Sequence, residues 1–253
     1  PPKLLDRVRV VIRTRHYSRR TEETYVGWIR RFVRFHGNRH PATMTSSHVR
    51  RYLDYLANER GVGASTQNQA LSAILFLYKA VLEKDIGWVH GIARAKSPRR
   101  MPAVLSKREV RAVLEELDGI SRLVAVLLYG CGFRLLECLS LRVKDVDFER
   151  SQIMIRGGKG DKDRVVMLPG AAIHPLRKQL EHARRVHDSD LEDLSFSVTI
   201  PDALRRKLPS AGREWAWQHV FPSSRTFLDE ETGEPRRHHM HESAVQRAMT
   251  EAV

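Results

Sequence analysis

The chain has 253 residues, 42% of them apolar, and carries 44 Lys and Arg against 30 Asp and Glu, a net charge of +14. This length suits one large or two smaller domains with buried cores. Residues 1–102 hold 20 basic and 7 acidic side chains, whereas residues 103–253 hold 24 and 23. A first half this basic indicates a polyanionic partner. No run of about 18 apolar residues occurs and no signal peptide precedes the first helix, so we expect no membrane partner.

Helical periodicity dominates the first part of the chain. Four predicted helices follow one another at 4–15, 20–37, 45–61 and 63–82. Hydroxyl residues are their candidate N-caps: Thr21 or Thr24 for the second helix, the run from Thr45 for the third, and Ser65 or Thr66 for the fourth. Four helices in about 90 residues predict a small all-α domain, which we place at 1–92.

A basic linker is predicted next. The stretch ARAKSPRRMP at 93–102 has two prolines and four basic residues between helical patterns. After it, LSKREVRAVLEELDG at 105–119 predicts a helix with Ser106 as N-cap and Glu109 completing a capping box.

The remaining elements mix helices and strands. Residues 121–141 predict a mostly apolar helix pair broken at Gly130 and Gly132. Its two cysteines, Cys131 and Cys138, are the only ones in the chain. Two turns along one helix face separate them too far for a disulfide, so buried thiols in a reducing cytosol are expected. Further along we expect strands at 152–155 and 165–168, a helix at 171–188, irregular structure over 189–240, and a final helix from 241.

The two strands flank the stretch GGKGDKDR at 157–164, which predicts a hairpin tip. Its spacing excludes a Walker A loop, which needs a second glycine directly before Lys-Ser/Thr, and a dinucleotide fingerprint, which opens a helix. Lys159 thus stands on a flexible glycine tip. The next charged residues are expected to solvate the tip or contact nearby backbone: Asp161, Lys162, Asp163 and Arg164.

Arg134 stands in the apolar segment YGCGFRLLECLSL, and a buried guanidinium there needs an anion. One interpretation is a structural pair with Glu137, one helical turn away. In the other interpretation, Arg134 and Lys159 act together on one phosphodiester. Arg134 clamps its non-bridging oxygens, and Lys159 delivers a proton. Arg134 alone leaves both open, and Lys159 favours the second.

The stretch GCGFRLLECLSLRVKDVDFERSQIMIRGGKGDKDRVVMLP resembles the first half of the catalytic domain of tyrosine recombinases, the phage integrase family. The wider chain is similar to integron integrases in HYSRRTEETYVGWIRRFVRFHG, RHPATMTSSHV, PDALRRKLPSAGREWAWQHVF and RRHHMHESAVQRA. The resemblance implies a mainly α fold with a small antiparallel β-sheet (α+β). A SAM-like four-helix core-binding domain at 1–92 would precede a catalytic domain at 103–253, C-terminally incomplete, with an integron-type insertion at about 189–240.

The resemblance also implies a chemistry. Arg134 would bind the scissile phosphate with support from Glu137, and Lys159 would protonate the leaving 5′-oxygen. A tyrosine would attack DNA to give a 3′-phosphotyrosine, with no metal or other cofactor. Such an enzyme integrates and excises gene cassettes at folded single-stranded DNA sites, assembles as a tetramer on DNA, and would be cytoplasmic and nucleoid-associated in a bacterium.

The chain departs from the family pattern at its nucleophile. In the family, the catalytic His-x-x-Arg motif and the tyrosine after it would lie C-terminal to Val253, and all six tyrosines of this sequence precede Arg134, the last being Tyr129. We therefore expect these 253 residues to be a fragment that binds DNA without cleaving it. A non-catalytic DNA-binding protein derived from a recombinase is the alternative, and an RNA-binding or ribosome-associated protein would share the charge.

DNA contacts are predicted in both halves. Basic residues near the first helices and in the linker would meet phosphates, and aromatics and histidines of the insertion would stack on unpaired bases. At least one of the two insertion tryptophans is expected in the core. The spacing of the histidines does not favour zinc. The predicted DNA-binding residues are Arg15, Arg19, Arg20, Lys96, Arg99, Arg100, Arg213, Trp215, Trp217, His219, His238 and His239.

Overall fold

The computed structural model describes residues 3–86, 103–157, 162–229 and 232–253. Its contacts divide the chain into two compact units, Pro1–Pro102 and Ala103–Val253. The described residues are mainly helical with small antiparallel sheets, which confirms the predicted α+β class. None of their helices is both long and apolar enough to cross a membrane. Four predicted site residues lie outside the described ranges, namely Lys96, Arg99, Arg100 and Lys159.

The N-terminal unit contains the four predicted helices. Their bounds are α1 Leu4–Thr14, α2 Arg19–Phe35, α3 Ser46–Asn58 and α4 Ala64–Phe76, and α4 continues into a π-helical turn, Leu77–Val81. Their apolar faces meet in a core rich in aromatic rings, where Phe32 contacts the edge of Tyr52 at 5.5 Å between centroids. Tyr78 is fully buried there, and its hydroxyl donates to the Pro41 carbonyl at 3.0 Å. Burial raises the pKa of Tyr78 to about 12, so this hydroxyl remains a donor.

Two of the predicted helix starts are wrong. Ser18, not Thr21 or Thr24, caps α2, and its Oγ accepts from the backbone N–H of Thr21 at 3.2 Å. Gly63 precedes α4, so the predicted caps of that helix lie inside its first turn. Both starts lie upstream of the predicted caps because helical geometry begins before the apolar periodicity becomes visible. The hydroxyl run is confirmed as the start of α3, whose N-cap is Thr45.

The C-terminal unit has six helices in its described residues: α5 Lys107–Glu115, α6 Gly119–Cys131, α7 Leu135–Leu139, α8 Gly170–Asp190, α9 Asp202–Lys207 and α10 Glu242–Glu251. The capping box of Ser106 and Glu109 before α5 is confirmed. The predicted break within 121–141 is also found, but Gly132 alone makes it, with φ of +64° in the left-handed region. Gly130 stays inside α6, where a Cβ would come within 2.5 Å of Pro169.

Both cysteines are free thiols, as predicted. Cys131 ends α6, and Cys138 is fully buried in α7. Burial raises the pKa of both thiols, that of Cys131 to about 11, so both are protonated near neutral pH.

The predicted hairpin forms the main sheet of this unit. Strands β1 Val146–Asp147, β2 Gln152–Ile155 and β3 Arg164–Met167 lie in that order and run antiparallel. Ile155 of β2 pairs with Arg164 of β3. The β2 side chains Ile153 and Ile155 point into the core, whereas Val165 and Met167 of β3 are exposed.

The irregular structure expected over 189–240 is wrong in part. This segment holds α9 and a second antiparallel pair, β4 Pro222–Leu228 and β5 Pro235–His239. Prolines begin both strands, and the register shifts between Pro222 and Thr226. Because proline and a bulge are typical of strand edges rather than interiors, they hide the strand pattern from the sequence.

Candidate active site

Arg134 occupies the N-cap position of α7 and not the interior of an apolar helix. Gly132 ends α6 in a left-handed turn, and only the buried Phe133 separates it from Arg134. The Arg134 side chain is 55% exposed, so the predicted burial of its guanidinium is wrong. The reason is that the apolar residues on either side of Arg134 belong to two different helices.

Glu137 lies in the first turn of α7 with only 11% of its side chain exposed. Its Oε2 accepts from the backbone N–H of Arg134 at 2.9 Å, and its Oε1 accepts from Arg134 Nη1 at 2.5 Å. Glu137 thus reaches back to the backbone of the N-cap residue as in one half of a capping box, but the Arg134 guanidinium has only donors and cannot complete the other half. The carboxylate therefore fixes both the backbone and the guanidinium of Arg134.

A second arginine meets the same carboxylate. Arg164, the first residue of β3, donates from Nη2 to Glu137 Oε2 at 2.6 Å and from Nη1 to Oε1 at 3.2 Å. The expectation that Arg164 solvates the hairpin tip is wrong, because its side chain reaches from β3 to α7. The hydrogen bond from Arg164, followed by those from Arg134, lowers the pKa of Glu137 to about 2. Glu137 is therefore ionised throughout the physiological range.

The base of the hairpin is closed by polar contacts. The backbone N–H of Gly157 donates to Asp163 Oδ1 at 2.9 Å, and Arg156 Nε donates to Asp145 Oδ1 at 2.8 Å. Asp145 is itself buried, in the 3₁₀ turn before β1. Lys159 follows Gly157 in sequence but is outside the described residues, so its role stays a prediction.

An open cleft of about 490 Å³ begins at Glu137 and extends to the insertion. Basic and aromatic side chains dominate its polar lining: Arg142, Lys144, Arg156, Trp217, His219, His238 and His239. The cleft thus brings together four of the residues predicted to bind DNA. Arg142 and Lys144 are not among the residues predicted from the sequence, although the run LRVKD directly after the apolar segment is a visible signal.

The three histidines form one cluster. The ring of His219 lies 5.8 Å from that of His238 and 5.6 Å from that of His239. His219 is 6% exposed, and its Nδ1 has no hydrogen-bond partner within the described part of the chain. Burial holds the pKa of His219 well below its usual value and also lowers that of His239. Within the same ranges, no group of three His, Cys, Asp or Glu side chains could hold a metal ion.

The two insertion tryptophans are half-buried, and protein side chains cover their faces. Lys144 Nζ lies 2.8 Å from the centre of the Trp217 ring, which also packs against the small core around Phe196. Trp215 faces His187, at 5.7 Å between ring centres, and Arg184. A base that stacks on Trp217 from the cleft must therefore displace Lys144.

Arg213 has a structural role in place of the predicted DNA contact. Its Nη1 donates to three backbone carbonyls, of which that of Leu194 is at 2.7 Å and that of Phe196 at 2.8 Å, while Nη2 donates to the carbonyl of Leu191 at 3.2 Å. These carbonyls belong to the turn after α8, which has no regular secondary structure to satisfy them. Arg213 supplies the missing donors.

The three basic residues predicted at the start of the chain lie together at the α1–α2 junction. Arg15, Arg19 and Arg20 are all exposed, and Arg19 is paired with Glu23 at 3.3 Å. Arg20 also borders a groove lined by hydroxyl and amide side chains near the starts of α2 and α4, including Thr24 and Asn68. Three residues of this groove, Thr21, Thr24 and Ser65, are the ones that the sequence offered as helix N-caps.

Comparison with known proteins identifies the family. Residues 4–88 match the phage integrase N-terminal SAM-like domain, and residues 103–253 match the phage integrase family. Proteins described as integrase/recombinase from Escherichia coli and from Pseudomonas aeruginosa are 49% identical over 251 residues, 99% of this chain and 74% of each relative. The fold is similar to that of lambda integrase, solved as a tetramer bound to a Holliday junction, with a TM-score of 0.62 and 14% identity over 98% of this chain and 61% of that one. The chain therefore belongs to the phage integrase family, the tyrosine recombinases, which carry out site-specific DNA recombination.

Proposed function

We propose that this chain is the DNA-binding and phosphate-holding part of an integron-type recombinase, which integrates and excises gene cassettes at folded single-stranded attachment sites. The observation that carries the proposal is Arg134, which is exposed and is held in place by Glu137, a residue that lines a basic cleft. An arginine fixed before DNA arrives loses little entropy when it binds a phosphate.

In this proposal the chemistry is divided among a few groups. Arg134 binds the non-bridging oxygens of the scissile phosphate and stabilises the charge that develops on the phosphorane. A tyrosine oxygen attacks phosphorus, the bond to the 5′-oxygen breaks, and Lys159 gives that oxygen its proton. The phosphotyrosine bond conserves the phosphodiester energy, so the reverse attack by another 5′-hydroxyl needs no nucleotide or metal.

The nucleophile itself is not assigned within these 253 residues. All six tyrosines precede Arg134, and Tyr129, the last, is 58% exposed near the end of α6. We propose that these residues bind DNA without cleaving it. The second candidate is a DNA-binding protein derived from a recombinase that has lost its chemistry.

The proposed DNA interface has two parts. Residues 1–92 would be the core-binding domain and 93–102 the linker, with Arg15, Arg19, Arg20, Lys96, Arg99 and Arg100 contacting the phosphate backbone. In the catalytic domain, 103–253, the insertion at about 189–240 would hold unpaired bases through the exposed His238 and the partly exposed His239, which pack on the buried His219. Trp215 and Trp217 would stack on bases once the side chains that cover their faces move aside. A tetramer on DNA is proposed by analogy with the lambda integrase assembly.

A suicide substrate tests the proposal directly. The natural gene product that contains these residues is mixed with a nicked hairpin attachment site that traps the covalent intermediate. We expect a protein–DNA adduct that is lost in Arg134→Ala, while Arg150→Gln, a surface control in the same unit, keeps it. DNA binding without any adduct would favour the DNA-binding alternative, and preference for fully paired duplex over the folded hairpin would exclude the integron type.

A further inference from the structure

Glu137 is shared by two arginines from different elements. Each of its carboxylate oxygens accepts from both of them: Oε1 from Arg134 Nη1 and Arg164 Nη1, and Oε2 from the Arg134 backbone and Arg164 Nη2. The contact from Arg164 is a two-pronged fork, the geometry in which an arginine restricts a carboxylate most strongly. The carboxylate is therefore held from one side by α7 and from the other by β3.

The position of Arg164 in β3 explains how it reaches α7. Arg164 and Val166 are partly buried on the inner side of the strand, whereas Val165 and Met167 are exposed on the outer side. Arg164 pairs with Ile155 of β2, whose side chain is buried in the core. The backbone of Arg164 is thus fixed by a strand ladder before its side chain meets Glu137.

We propose that Arg164 is a positioning residue for DNA cleavage: its guanidinium locks Glu137, and Glu137 in turn holds Arg134 in the orientation that binds the scissile phosphate. This inference rests on the function proposed above. Without Arg164, Glu137 keeps only its contacts within α7, and its side chain can rotate together with that of Arg134.

The arrangement also couples two parts of the proposed site. Arg164 ends the hairpin segment that contains Lys159, and Arg134 begins α7. The link through Glu137 therefore ties the strand that follows the proton donor to the residue that holds the phosphate. Misplacing a catalytic group by about 1 Å can cost on the order of 100-fold in rate, so this link matters even though Arg164 need not touch DNA.

The first experiment compares Arg164→Gln, Arg164→Lys and the control Arg150→Gln in the natural gene product. Arg150 forms a similar ion pair, with Asp147 at 3.0 Å, on the same sheet but away from Glu137. We expect Arg164→Gln to lower the single-turnover cleavage rate by about 10- to 100-fold with little change in DNA affinity. Arg164→Lys should be intermediate because it keeps the charge but not the fork, and Arg150→Gln should match wild type.

A second experiment separates positioning from a merely structural role. Replacing the scissile phosphate by a neutral methylphosphonate lowers the need for Arg134, so it should restore much of the relative rate of both Arg134→Ala and Arg164→Gln. A substrate with a 5′-bridging sulfur, whose thiolate leaves without a proton, should instead restore Lys159→Ala. Loss of fold would be rescued by neither substrate.

The outcomes distinguish the inference from the function on which it rests. If Arg134→Ala abolishes cleavage but Arg164→Gln cleaves at the wild-type rate, the positioning role is overturned while the proposed function stands. If Arg134→Ala itself cleaves normally, the proposed function fails. A methylphosphonate that rescues Arg134→Ala but not Arg164→Gln would also overturn the link through Glu137.

Discussion

Two groups of arginines, one from each unit, have different roles. In the N-terminal unit Arg15, Arg19 and Arg20 are exposed at one helix junction, in a half of the chain with a large basic excess. In the nearly neutral C-terminal unit, arginines such as Arg164 and Arg213 are bound to carboxylates and carbonyls of their own fold. The first kind attracts a polyanion over a distance and is screened by salt. The second kind fixes geometry and is little affected by salt.

The largest effect expected is on the rate of DNA cleavage when Arg134 is replaced. Arg134→Ala should lower DNA cleavage by the natural gene product by about 1000-fold, because it removes a preorganised cation from the developing phosphorane charge. DNA affinity should change far less, as most of it comes from other contacts. Rapid-quench cleavage and fluorescence anisotropy measure the two quantities. An equal loss in both would remove the distinction between the two kinds of arginine.

Replacing the exposed arginines of the N-terminal unit should instead change DNA affinity. The triple variant Arg15→Gln, Arg19→Gln, Arg20→Gln should weaken DNA binding by the 253-residue chain and reduce the slope of log affinity against log salt by up to about 3. Anisotropy titrations between 50 and 200 mM salt would measure it, since that interval gives a change of about 10³-fold for six or more phosphate contacts. An unchanged slope would place the phosphate contacts elsewhere.

Arg213 provides the matching test of a structural arginine. Arg213→Gln should lower the free energy of unfolding of the C-terminal unit by about 1–3 kcal/mol, because its carbonyl partners lose their donors. The salt slope of DNA binding should stay the same. Arg185→Gln, an exposed residue of α8, is the control and should alter stability by no more than about 0.5 kcal/mol. If Arg213→Gln changed the salt slope of DNA binding but not the stability, Arg213 would be assigned a DNA contact and not a structural role.

The smallest effect expected is a pH dependence of stability. The pKa of Glu137 is lowered to about 2 in the folded chain, below the usual value of 4.5. Its ionised contacts therefore stabilise the fold above the unfolded pKa, and this contribution is lost as pH falls from about 4.5 toward 2. The melting temperature of Glu137→Gln should lie below that of wild type at pH 7, and the difference should shrink over that interval. A constant difference would show that Glu137 titrates normally.

Local features of this chain could be predicted from its sequence. The capping box at Ser106, the break at Gly132 and the bounds of β2 each depend on a few neighbouring residues, and the structure contains all three. The exposure of Arg134 could not be predicted in this way. The break into two helices could be predicted, but the pattern of apolar residues does not show whether the side chain at the start of the second helix points to solvent or into the core.

The contact between Arg164 and Glu137 could not be predicted from the sequence either. The predicted strand began one residue later, which left Arg164 in the loop, and no periodicity reports that a strand residue will meet a helix 27 positions upstream. The pattern of hydrophobic residues indicates which face of an element is buried. It does not indicate which charged side chain of a neighbouring element will contact that face.

Because Ile155 pairs with Arg164, the register of the two strands does not depend on how many residues the tip contains. Side chains of a strand alternate between two faces, so a slip of one residue would turn Arg164 outward and bring an apolar valine toward Glu137. Residues inserted between Gly157 and Asp163 leave the ladder unchanged, whereas one residue inserted within β3 does not. We therefore expect relatives and engineered variants to keep the register of β3, whereas the length of the tip is limited only by the position that Lys159 needs as the proposed proton donor.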